Sequence, residues 1–204
     1  MHTQTASSVD SDVHVLHLSI AEHGKLLALK HQHKEALRHY QEAIRMAVSI
    51  RAPEIFFRHY TQCVLESLEK TESYQEVIEF CRNADQHYQG ISAKIPLHRK
   101  DHASVLERQA VNELKAGDKT SARTSLLKAL EISGKGVLPL SEELLSWLQR
   151  NLTVTVSRLQ ALQEKHHYFV VRRDQVNPQK ARSLDSLKLP KTAPSDGLRL
   201  NAGR

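Results

Sequence analysis

Three stretches decide how this chain folds: Ala36-Leu37-Arg38-His39-Tyr40-Gln41-Glu42-Ala43, Val77-Ile78-Glu79-Phe80-Cys81-Arg82-Asn83-Ala84 and Ala122-Arg123-Thr124-Ser125-Leu126-Leu127-Lys128-Ala129. Each has a small or β-branched residue first, an apolar or aromatic one fifth (Tyr40, Cys81, Leu126) and alanine eighth. Residues three and four apart share one face of a helix, so these positions form a stripe. Alanine in the stripe lets a neighbouring helix come close, and the intervening residue fills the gap between helices. Each stretch follows a second amphipathic run across a short polar turn. Leu16, Ile20, His23 or Gly24, Leu27 and Ala28 lead through Lys30-His31-Gln32-His33; Ile55, Phe56, Tyr60, Cys63, Val64 and Leu68 lead through Lys70-Thr71-Glu72-Ser73; residues 97–116 lead through Gly117-Asp118. Proline suits a first helical turn and disfavours helix just before it, so Pro53, Pro96 and Pro139 mark joints. Repetition at this period marks stacked units. The expected fold class is an all-α helical-hairpin solenoid, with hairpins over 13–52, 53–95 and 96–139.

These features resemble the tetratricopeptide repeat. In that motif a small residue of the first helix precedes the small residue of the second by twelve positions. Gly24 before Ala36 and Ala110 before Ala122 match it, while Leu65 before Val77 departs from it. The Gly117-Asp118 turn and phrases such as Tyr74-Gln75-Glu76-Val77-Ile78 also look like the motif. The family's period is about 34 residues, so these units would be a long-helix variant. The resemblance covers roughly residues 15–133. It implies a non-catalytic scaffold whose first helices line a concave groove. The groove positions it implies are Leu18, Ala21, Lys25, His59, Gln62, Glu66, Ser104, Glu107, Arg108 and Val111. Relatives that grip chaperone C-termini use a clamp of Lys, Asn and Arg. Only Lys25 and Arg108 match it here, and Ala21 and Cys63 stand where it wants polar groups. A chaperone-tail receptor is therefore disfavoured.

The flanks read differently. Residues 1–12 are polar with little to bury, which predicts a flexible lead-in. Over residues 140–171, Leu145, Leu148, Leu152, Leu159 and Leu162 recur at three- and four-residue steps, predicting one amphipathic helix. It would cap the solenoid in cis, self-associate or dock a partner helix. Residues 172–204 contain three prolines and no aromatics, the composition of a disordered tail. Within that tail, Arg182–Pro190 has leucines in steps of three and two. It reads as plain disorder or as a docking segment that orders on a partner.

The net charge is +6, but eight basic and three acidic residues fall within 172–204, so the body is nearly neutral. Basicity is a tail property, and overall charge does not make the folded part a nucleic-acid binder. An alternative nucleic-acid role would use Lys94, His98, Arg99 and Lys100 with the tail, through salt-sensitive phosphate contacts. Thirteen histidines invite a metal, yet His14/His17, His31/His33 and His166/His167 are only pairs, and zinc wants three or four ligands. No metal or cofactor is expected. Phosphate-loop, dinucleotide and nucleophile-elbow motifs are missing, so no catalytic residues are assigned. Two cysteines, the lack of a basic-then-apolar leader and the lack of a long apolar run predict a cytoplasmic protein without a membrane span. Its expected partner is a protein helix or extended segment.

Overall fold

The structure, a computed structural model, describes residues 3–90 and 96–187. It is all-α, with consecutive helices packed in adjacent pairs. Among the described residues, no helix is long and apolar enough to cross a membrane. The chain divides into two compact units at the Glu72/Ser73 turn and again after Phe169. That first division cuts the expected 53–95 hairpin between its two helices.

The first unit holds α1 (Thr3–Leu29), α2 (His33–Ser49), α3 (Glu54–Lys70) and the segment that begins at Val170. α1 starts ahead of the boundary set by the polar lead-in. No proline or glycine lies between Thr3 and Val13, and extending a formed helix is cheaper than nucleating one. α1 packs on α2, and α2 on α3. The α1/α2 contact is close: a Cβ on Gly24 would stand 2.6 Å from Tyr40 Cε1. Ile20, Ala21, Ala43, Met46, Ala47, Ala52 and Tyr60 form this unit's apolar core.

The second unit holds α4 (Tyr74–Gly90), α5 (Pro96–Lys115), α6 (Lys119–Ser133), α7 (Pro139–Gln149) and α8 (Val156–Lys165), with α4 packed on α5, α5 on α6 and α6 on α7. Its principal core joins Ala110, Val111, Leu114, Ala122 and Leu126 to Leu140, Leu144, Leu145, Leu148, Leu159 and Leu162. All nine stripe positions of the three second helices are buried, the most exposed being Ala84 at 6%.

The single helix expected over 140–171 is two. α7 ends in a Schellman motif: the Leu152 N–H donates to the Trp147 carbonyl, the Asn151 N–H to the Leu148 carbonyl, and Asn151 takes φ 54°. Asparagine tolerates that left-handed state better than most residues. The β-branched Thr153-Val154-Thr155 run then stays non-helical, and the Thr155 hydroxyl accepts the Arg158 N–H to start α8. Both helices still cover α5 and α6 in cis. Leu145, Leu148, Leu159 and Leu162 are buried in that core, while Leu152 sits half-buried in the break.

Candidate interaction surfaces

In the first unit, α1 and α3 bring Lys25, Glu22 and His59 together. Lys25 Nζ lies 3.0 Å from Glu22 Oε2. His59 is half-buried, and burial together with the nearby Lys25 charge lowers its pKa. Its Nε2 lies 3.8 Å from Cys63 Sγ. Gln62 is half-buried and Leu18 is exposed, but Ala21 is buried in the apolar core and offers no surface.

Glu66, only 5% exposed, is already engaged. Its Oε2 accepts the Val170 N–H at 2.8 Å and the Val171 N–H at 3.2 Å. The chain continues from there as alternating extended residues and 3-10 turns, at Arg173–Gln175, Pro178–Lys180 and Leu184–Leu187. The Asn177 N–H donates to Glu22 Oε1. The Arg182 N–H donates to the Ser19 carbonyl at 3.0 Å, and the Leu184 N–H to His39 Nε2 at 3.3 Å. Leu184 and Leu187 pack against the apolar core of this unit. The tail expected from residue 172 is thus non-helical apart from 3-10 turns, but residues 172–187 follow a specific path. Helix-borne acceptors take their backbone donors, and two leucines find apolar cover. Residues 188–204 lie outside the described residues, as does Lys94.

In the second unit, the implied groove residues serve internal packing. Val111 is fully buried in the core. Buried Arg108 places its guanidinium 4.7 Å from the centre of the Tyr168 ring. Glu107 Oε2 accepts the Ser141 N–H at 3.1 Å and hydroxyl at 2.7 Å at the start of α7. Burial raises its pKa despite those bonds. Ser104 is half-buried. Glu107, Arg108 and Val111 therefore hold α7 and the turn after α8, for which stripe positions alone carry no signal.

Two polar clusters were not legible beforehand. Asp85 on α4 binds His102 of α5 at 2.6 Å and Lys128 of α6 at 2.6 Å, tying three helices. Burial pushes its carboxyl up, but bonds from Lys128, His102 and Gln89 hold it below the ordinary carboxylate range. In the first unit, buried His17 joins Tyr60 at 2.7 Å and His14 at 3.1 Å. Among the described residues, no three His, Cys, Asp or Glu side chains are grouped to hold a metal. Arg99, of the proposed basic cluster, spends its guanidinium on the Ile132 carbonyl. Comparison with family models, curated proteins and solved structures finds no match to this chain.

Proposed function

We propose that this chain is a non-catalytic protein-protein interaction module, an adaptor, assembly factor or structural subunit, built on tetratricopeptide-like hairpins and working in the cytoplasm. One observation carries the reading. The α1–α3 surface already receives a non-helical polypeptide, taking its backbone N–H groups on Glu66, Glu22, Ser19 and His39 and its leucines on an apolar core. Helix-borne acceptors plus an apolar patch are what recognition of a short peptide segment requires. The second unit contributes stability through its closed core.

The test is affinity capture from the native lysate with mass spectrometry, comparing the full chain with a 1–171 truncation that keeps every α-helix. The expected result is a stoichiometric protein partner, captured better by the truncated chain, whose α1–α3 surface is cleared. Recovery of nucleic acid instead, released near ~0.3 M salt and lost with residues 172–204, would replace this reading with a nucleic-acid-associated subunit.

A further inference from the structure

Residues 183–187, Ser-Leu-Asp-Ser-Leu, meet the first unit as a self-contained ligand would. The turn builds its own shape: Ser183 Oγ accepts the Asp185 N–H at 3.3 Å, and the Ser183 carbonyl accepts the Ser186 N–H at 3.1 Å and hydroxyl at 2.6 Å. In a 3-10 turn, residues three apart eclipse, so Leu184 and Leu187 share one side. That side packs on the core of α1 and α2. Asp185 between them is exposed, and on the helical face the His23 and His39 rings stack with centres 4.9 Å apart. His39 Nδ1 lies 2.8 Å from the Glu35 carbonyl and must be the protonated nitrogen, which leaves the Nε2 lone pair to accept the Leu184 N–H. Two features of the segment therefore have a counterpart: an apolar floor for the two leucines and a lone pair for the backbone donor. Yet no residue of the turn is buried, so the tether carries much of the association.

We propose that the α1/α2 face around His23 and His39 is a docking site for a short segment of a partner protein that presents two leucines three residues apart in a 3-10 turn. Residues 184–187 occupy that site in cis, so a partner enters only by displacing them. The inference rests on the adaptor reading for its biological partner. Because the resident segment is covalently held, its effective concentration is on the order of millimolar. A free segment of the same chemistry then binds the intact chain weakly and the cleared site well.

The probe is a fluorescein-labelled peptide, Lys-Ala-Arg-Ser-Leu-Asp-Ser-Leu (residues 180–187), followed by fluorescence anisotropy on full-length protein. Leu184→Asp/Leu187→Asp, placed outside every α-helix, should keep wild-type helicity and bind the peptide at least ~10-fold tighter than wild type, for the effective-concentration reason above. A control peptide with both leucines replaced by aspartate should lose that binding. If the double variant loses helicity, Leu184→Ala/Leu187→Ala, a milder change to the same two half-buried side chains, serves instead and should bind a few-fold tighter than wild type. Equal binding to wild type and the helical variant, or equal binding of the control peptide, overturns the inference. So does gel filtration showing that the peptide merely competes with a segment exchanged between two copies. Failure of lysate capture with intact peptide binding would count against the adaptor reading alone, and the reverse pattern against this inference alone.

Discussion

Acidification from about pH 6.5 toward 4 should destabilise the first unit before most carboxylates are protonated, and His17 is the largest contributor. Its ring is buried between Tyr60 and His14 and meets Phe56 edge-on. A neutral imidazole satisfies both hydrogen bonds as one donor and one acceptor, whereas an imidazolium would present two donors beside a second histidine. Burial first, then the neighbouring His14 charge, lowers its pKa from 6.5 to about 4. The unfolded chain thus takes a proton as pH falls through 6.5, and the folded chain refuses it until near 4. Stabilisation present above pH 6.5 is lost progressively across that window. A gap of about 2.5 in pH, at about 1.4 kcal/mol per unit, amounts to about 3.5 kcal/mol, a large share of the ~5–15 kcal/mol stability of a typical domain. His23, His33, His39 and His59 lie in the same unit with pKa values lowered chiefly by burial, and they act with the same sign. The assay is urea unfolding by far-ultraviolet circular dichroism from about pH 7.5 to 4.5, for wild type and His17→Gln. Trp147, the chain's one tryptophan, lies in the second unit, so ellipticity lost without a fluorescence change places the event in the first. His17→Gln should flatten the pH dependence by about 3 kcal/mol. Identical slopes for the two proteins would refute the reasoning.

Other substitutions test the packing. Gly24→Ala puts a methyl against the Tyr40 ring at 2.6 Å and should cost about 1–3 kcal/mol in denaturant unfolding; a neutral result would mean that α1 and α2 are not this close. Leu159→Ala, at a site 1% exposed, should cost about 2–5 kcal/mol in the isolated chain. Half-buried Leu152→Ala should cost about 1 kcal/mol or less, and equal small effects would argue that α8 packs on another molecule. Arg51 closes α2 at φ 51° and is exposed, so Arg51→Gly should raise stability by about 0.5–1 kcal/mol; a loss in thermal unfolding would contradict the strain.

Helix positions were readable because close approach leaves a compositional mark. Ala36, Ala43, Ala122 and Ala129 sit where neighbouring helices meet, and small residues there can be recognised one helix at a time. Gly117-Asp118 was readable for a similar local reason, since Gly117 takes φ 88° and the Asp118 carboxylate accepts the Ser121 N–H. The left-handed conformation of His31, Arg51 and His167 carried no such mark, because those residues do not announce a positive φ. The α7/α8 break hid for a related reason. The leucine steps run across Asn151 almost in register, and hydrophobic spacing does not see a Schellman stop.

By itself, the order of small, large and polar residues determined the all-α class, the hairpin spacing and the buried stripe, since these follow from helical periodicity within short windows. Tertiary structure decided which nominal groove positions are surface. Val111 and Arg108 share their helix face with Ser104, yet Val111 joins the core that α6, α7 and α8 complete and Arg108 lies over the Tyr168 ring, both through contacts from distant sequence. It also decided the course of residues 170–187. Their composition is that of a tail because few of their side chains can be buried. Their order comes instead from backbone donors meeting Glu66, Glu22, Ser19 and His39, acceptors more than a hundred residues away that no local pattern can anticipate.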